Sequence, residues 1–145
     1  MIFISYAKED HSYASKIFLA FKKAGLSPWM DKPPVPYDSE GLRVGQRWRS
    51  VLNAKLREAS FILLVLSPTS VQKRGFVQTE FRTALSLMNL IPDDQIFILP
   101  VLSKSCKVPS LQVGEINLLD LQWEIIEEEA IDGFASRLAA EIEVA

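Results

Sequence analysis

Phe61-Ile62-Leu63-Leu64-Val65-Leu66, closed by Ser67-Pro68, sets the architecture of this chain. Every position in the run is apolar, so both faces of an extended segment here must be covered. That pattern marks a central strand of a parallel sheet, as opposed to the in–out alternation of a sheet with one wet face. Pro68 has no amide hydrogen for a sheet ladder and ends the strand. Upstream, Trp48, Val51, Leu52, Leu56 and Ala59 recur at helical spacing. Downstream, the spacing predicts a helix from about Gly75 to Leu90, with Val77, Phe81, Ala84, Leu85 and Met88 as its core stripe. Pro92-Asp93-Asp94 then breaks the chain, and Gln95 to Leu102 reads as another buried strand.

Toward the N-terminus, Ile2 to Tyr6 opens the chain as a buried strand. A polar turn, Ala7 to Asp10, follows, and Asp10 or Ser12 is placed to cap the next helix. Ala14, Ile17, Phe18 and Phe21 mark that helix, and Gly25 suits its left-handed stop. Leu26 to Met30 is a short second strand. Toward the C-terminus, Ser103 to Gly114 reads as a loop with one helical turn, and Ile116 to Leu121 as a weak last strand. Glu127, Glu128 and Glu129 suit the positive end of a helix dipole. Ile131, Phe134, Ala135, Leu138 and Ile142 would be that helix's apolar face. Strands alternating with helices predict right-handed βαβ units and a parallel sheet. The expectation is an α/β, flavodoxin-like three-layer fold, with a five-stranded parallel sheet in the order 2-1-3-4-5 and helices on both faces. A chain of 145 residues is the size of one domain, so 1–145 is expected to be a single unit. It stops just after its last helix, as a domain cut from a longer protein would.

Hydrophobic residues make up 48% and charged residues 23%, a globular balance. The formal net charge of -2 makes no electrostatic case for nucleic acid or for an anionic membrane surface as partner. The apolar runs are too short to span a bilayer. Cys106 is the only cysteine, so no internal disulfide forms, and no basic leader precedes Ile2; a reducing, cytoplasmic setting fits. His11 is the only histidine, which removes most zinc sites, Ser-His-Asp triads and Cys-His pairs. Chemistry is left to carboxylates, hydroxyls, amides and backbone groups, and no metal is expected.

Asp31 to Gln46 carries Pro33, Pro34, Pro36, Gly41 and Gly45, a spacing that leaves no room for a regular element. A loop of this length in a compact domain is either functional or a tolerated surface insertion. Open parallel sheets bind ligands beyond the carboxyl ends of their strands, at the point where strand order reverses. Between strands one and three, that point is surrounded by Tyr6 to Asp10, the long loop, and Ser67 to Glu80. On the predicted helix, Glu80 shares a face with Phe76, one turn earlier, beside the Val77/Phe81 stripe. Glu80 is then either a partly desolvated carboxylate at the cleft rim, beside a ring, or an ordinary solvated helix residue.

Two common uses of such a fold do not fit. A phosphoacceptor receiver needs an aspartate at the end of strand three, where this chain has Ser67. A flavodoxin needs a Ser/Thr-rich phosphate loop after strand one, where this chain has Ala7-Lys8-Glu9-Asp10. Neither G-x-G-x-x-G nor a Walker A sequence occurs.

Several segments, in order, resemble a known family. Phe3-Ile4-Ser5-Tyr6 with its polar turn, Pro28-Trp29-Met30-Asp31, Gly45-Gln46-Arg47-Trp48, Leu66-Ser67-Pro68, and Phe76 four residues before Glu80 are similar to the ordered motifs of Toll/interleukin-1 receptor (TIR) domains. The resemblance covers essentially the whole chain, and the Pro-rich loop is most similar to bacterial TIR effectors. Some members of that family are adaptors that recruit other TIR domains; others cleave NAD and depend on a glutamate at the position of Glu80. The resemblance therefore implies an NAD glycohydrolase yielding nicotinamide and ADP-ribose or its cyclic form, with NAD as substrate and no cofactor. It implies activation by self-association in a bacterial immune, antiphage response, under a fused or associated sensor domain. Glu80 would be catalytic; Phe76, Tyr6, Trp48, Phe3 and Ser67 would line the pocket, and Lys8 or Arg43 would meet the diphosphate. The alternative it implies is a non-catalytic TIR–TIR scaffold. Two departures stand out: the 31–46 loop is long for the family, and Ala7-Lys8 stands where catalytic members often have arginine.

Overall fold

The computed structural model describes residues 1–72, 82, 98–108, 110 and 112–144. β1 (Ile2–Ser5), β2 (Pro28–Trp29), β3 (Phe61–Leu66) and β4 (Ile98–Leu102) alternate with α1 (His11–Lys23), α2 (Trp48–Glu58) and the short α3 (Pro68–Gln72). β5 (Gln112–Val113), β6 (Ile116–Asn117), β7 (Glu124–Ile125) and α4 (Ile131–Val144) complete the described elements. The main sheet runs β2-β1-β3-β4-β7, with every neighbouring pair parallel. This is the expected flavodoxin-like α/β fold, and its order differs from the expected one only in which segment supplies the last strand. The segment Ile116 to Leu121 does not join the sheet. Ile116 and Asn117 pair back on Gln112 and Val113 in a separate antiparallel hairpin, and the fifth sheet strand is Glu124–Ile125. Asn117 explains the diversion: its side chain accepts from the Leu119 amide while Asp120 accepts from the Asn117 amide, a capping box that turns the chain into a 3-10 turn at Leu118–Asp120.

The central run behaves as its composition requires. Ile62 to Leu66 are fully buried, and alternate residues enter two separate cores. Leu63 and Val65 face α1 and α4, joining Ile4, Ile17, Phe18, Phe21, Phe134 and Leu138. Ile62, Leu64 and Leu66 face the other side, with Phe3, Trp29 and Leu56 of α2. Burying each such aliphatic side chain stabilises the fold by about 1.5–3 kcal/mol, so β3 anchors both layers. α1 ends as expected. Gly25 takes φ +85°, and the amides of Gly25 and Leu26 donate to the carbonyls of Lys22 and Phe21 at 3.1 and 2.9 Å, a Schellman closure. Of the apolar face expected for the last helix, Ile131, Phe134, Ala135 and Leu138 are buried on α4 and Ile142 is partly buried. α2 departs from expectation at its first turn: Trp48 is 56% exposed, because the helix overhangs the sheet there and only later turns reach the core. The helix expected from Gly75 to Leu90 lies outside the described residues, apart from Arg82, which is helical and exposed. No helix among the described residues is long and apolar enough to cross a membrane.

Candidate functional site

Strand order reverses between β1 and β3, so the segments leaving their carboxyl ends diverge and leave a crevice. After β1 come Tyr6, Ala7 and a 3-10 turn, Lys8–Asp10, that leads into α1. After β3 come Ser67 and α3. The turn out of β3 is closed by reciprocal bonds. The Ser67 amide donates to Ser70 Oγ (2.8 Å), the Ser70 amide donates to Ser67 Oγ (3.1 Å), and the Ser70 hydroxyl donates to the Ser67 carbonyl (3.1 Å). Pro68 at the first helical position suits this start, since it lacks the amide hydrogen that would be left over.

Asp10 lies under this turn. It was expected to cap α1, but its side chain makes no cap bond. The residue is only 6% exposed, and Oδ2 has no hydrogen-bond partner. Burial, the largest effect, pushes its carboxyl above the usual aspartate range; the nearby Ser67 and Ser70 side chains oppose that shift, and the nearby Glu9 charge adds to it. The same carboxylate raises Cys106, whose thiol burial has already pushed up.

The 31–46 loop contains one 3-10 turn, Asp38–Glu40, and no longer element, and it is tied down along its first half. Tyr6 donates its hydroxyl hydrogen to Asp31 Oδ1, which also accepts from the Lys32 amide at 2.9 Å. His11 Nε2 lies 2.8 Å from the Lys32 carbonyl oxygen, and Trp29 Nε1 donates to the Glu40 carbonyl at 3.1 Å. Tyr37 packs on Phe18, and Lys22 sits 4.8 Å from the Tyr37 ring centre while pairing with Glu40 at 2.9 Å. Such partly exposed pairs contribute little singly; together they hold the loop against α1 and the end of β1.

The residues expected to form the site do not all come together. Tyr6 and Ser67 both stand at the crevice, Tyr6 fixing Asp31 and Ser67 forming the turn out of β3. Lys8 is exposed on the 3-10 turn beside Asp10. Arg43 is exposed on the loop, its amide bonded to Gln46 Oε1 at 2.8 Å. Phe3 does not line the crevice: it is buried within the sheet, its ring 5.3 Å from that of Trp29. Trp48 projects outward under the Arg49 guanidinium, at 5.3 Å, and is not brought to Tyr6 or Ser67. Glu80 and Phe76 lie outside the described residues. Asp10 is a further candidate that the structure brings to the crevice; its one signal along the chain is an acidic side chain at the end of the polar turn that follows a buried strand.

A second cleft, of about 520 Å³, opens beyond β4 and is lined by Tyr13, Ser103, Lys104 and Glu127 to Glu129. A hydrogen bond with Glu129 and that residue's charge raise Glu127, while Glu129 is lowered by a backbone hydrogen bond and by its bond with Glu127. Among the described residues no group of three or more His, Cys, Asp or Glu side chains is arranged to hold a metal ion.

The family model for the TIR domain matches residues 2–139. The chain belongs to the TIR family. Its fold is similar to that of the TIR domain of the Toll-related receptor TRR-2 from Hydra magnipapillata, with a TM-score of 0.67 at 16% identity, over 98% of this chain and 97% of that one. It is also similar to a metazoan TIR-STING receptor from C. gigas, with a TM-score of 0.52 at 21% identity; 93% of this TIR domain is covered but only 40% of the receptor chain. At these identities the likeness concerns the fold. No curated protein matches the sequence.

Proposed function

We propose that this TIR domain is an NAD glycohydrolase that releases nicotinamide and leaves ADP-ribose or its cyclic form, with Glu80 as the catalytic residue. The observation that carries the reading is Phe76-x-x-x-Glu80 in a chain that belongs to the TIR family, at the position on which NAD-cleaving members depend. The chemistry suits the residue inventory. Nicotinamide departs from NAD as a neutral ring, so no general acid is needed and the paired carboxylates of ordinary glycosidases are dispensable. One carboxylate near the ribose stabilises the cationic centre that develops as the bond breaks. Water attack then forms the new bond to the ribose carbon and gives up its proton to solvent; attack by a group of the same ADP-ribose gives the cyclic product. In this reading Phe76 packs against nicotinamide or ribose, Tyr6 and Ser67 line the crevice, and Lys8 or Arg43 meets the diphosphate. A sensor domain, fused or bound, would trigger activity by assembly, as in bacterial antiphage immunity.

The test is nicotinamide release from NAD by the purified chain at low and high protein concentration, beside Glu80→Ala. Release by the parent and its loss in the variant support the reading. Equal release by both removes Glu80 from the mechanism.

A second reading, a TIR–TIR scaffold, has an observation in its favour. Val44 and Trp48 are exposed between Arg43, Arg47 and Arg49, all exposed, while Glu127, Glu128 and Glu129 line the second cleft beside Lys104, with Glu128 paired to Lys16 at 2.7 Å. Two unlike, complementary patches on one chain give head-to-tail contacts, which extend into open assemblies unless they close. No nicotinamide release at any concentration, with salt-sensitive self-association, would leave this reading standing alone.

A further inference from the structure

Four polar or charged residues are buried among the described residues: Ser5, Asp10, Ser67 and Ser70. Three of them, Asp10, Ser67 and Ser70, meet at the switch point, where Asp10 supplies the charge. We infer that Asp10 is a positioning residue: its buried carboxylate joins the turn after β1 to the turn after β3 and so sets the orientation of Ser67 on the floor of the crevice. Its catalytic consequence rests on the function proposed above; the coupling of the two turns does not.

Three observations carry it. First, Asp10 stands at the start of α1 yet does not cap it, so its burial is not explained by helix formation. Second, the groups it meets, Ser67 and Ser70, already satisfy each other's amides at 2.8 and 3.1 Å. The turn is hydrogen-bonded without help, and the Lys8–Asp10 turn that carries Asp10 packs against α3, the helix that this turn begins. Third, Oδ2 is left unpaired in a site nearly closed to water, an arrangement that weakens the fold. A buried, incompletely paired charge retained against stability is what functional sites hold and structural ones shed. The groups facing Asp10 are Glu9 on its own turn, Tyr13 on α1, the two serines on the opposite turn, and Cys106 beyond β4. None is a cation, so nothing among them offsets the charge.

The test compares the parent chain with Asp10→Asn and Ser70→Ala by amide hydrogen exchange, thermal unfolding and nicotinamide-release kinetics. For Asp10→Asn the amides of residues 67–71 are expected to exchange at least about fivefold faster, while those in the middle of α1 are unchanged. The unfolding midpoint at neutral pH should be no lower than the parent's. kcat should fall about ten- to a hundredfold, the scale of a misplaced active-site group, with KM within about twofold. Ser70→Ala removes the turn's own bonds and so marks the exchange of a fully freed turn; Asp10→Ala replaces Asp10→Asn in the test should that variant not fold. Unchanged exchange at 67–71 overturns the inference, as does a lower midpoint with the disturbance confined to the first turn of α1, which is the behaviour of a simple cap. Looser 67–71 amides with unaltered kcat overturn the catalytic half. A parent that releases no nicotinamide fells the proposed function and that half with it, while the exchange data still decide whether Asp10 couples the turns.

Discussion

The Tyr6 hydroxyl, just past the end of β1, donates to Oδ1 of Asp31, just past the end of β2, and so ties the start of the long loop to the edge of the crevice. Replacing Tyr6 by Phe keeps the ring, which is buried in the α1-side core, and removes the tie. Asp31 retains the Lys32 amide. The expected loss is about 1–2 kcal/mol, seen as a lower urea midpoint at unchanged m-value. Proteolysis within 31–46 should quicken; a loop cut no faster than in the parent would show that the remaining contacts hold it alone.

Gly41 is required for a different reason. A Cβ there would stand 2.3 Å from the Asp31 carbonyl oxygen and 2.4 Å from Pro33 Cδ, and the Leu42 amide bonds that same carbonyl at 2.8 Å. Gly41→Ala must push the two strands of the loop apart, at about 1–3 kcal/mol, the range for overpacking. Its signature in NMR spectra is a shift of the Leu42 and Asp31 resonances.

Gly25 and Gly45 have space but the wrong backbone for other residues, with φ of +85° and +88° and no atom within 4 Å of an added Cβ. Alanine at Gly25 should destabilise by about 1–2 kcal/mol through the left-handed conformation alone, and asparagine by less. Equal effects of alanine and asparagine in thermal unfolding would count against this account.

Phe21 is fully buried, with its ring 5.9 Å from that of Phe134, where α1 meets α4. Phe21→Ala should remove about 3–5 kcal/mol, a large share of the 5–15 kcal/mol that a domain commands. Calorimetry should show a markedly lower unfolding temperature for this variant.

The pH dependence of stability carries the sign of Asp10. Its carboxyl is raised in the folded state, so the native chain holds that proton more tightly than the unfolded one. The resulting contribution is complete below the unfolded value near ~3.9 and is lost as pH rises through the higher folded value. The unfolding midpoint of Asp10→Asn minus that of the parent should therefore grow as pH rises from about 4 and then level off. A difference that shrinks over that range would mean the carboxylate is stabilised by its surroundings.

Much of this was legible along the chain. The all-apolar run of β3, the stripe of α1, its glycine stop and the apolar face of α4 are local patterns, and each element formed where its pattern lay. The last strand was not legible. Glu124–Ile125 is a two-residue edge strand with both side chains exposed, too short to show a period, while Ile116 to Leu121 looks more strand-like and is turned away by Asn117 and Asp120. Trp48 keeps helical spacing but stands on a turn that overhangs the core, which spacing cannot reveal.

The sequence by itself determined the layers: periodicity states which faces must be buried, and a strand apolar on both faces must lie inside a parallel sheet. Its ordered motifs also marked the family to which the chain belongs. Only the tertiary structure decided which polar residues meet. Tyr6 reaches Asp31, and Asp10 reaches Ser67 and Ser70, because parallel pairing brings the ends of β1, β2 and β3 side by side. Those encounters join residues far apart in the chain, and no local pattern records them, since hydrophobic periodicity reports burial against a core and not the identity of the neighbour.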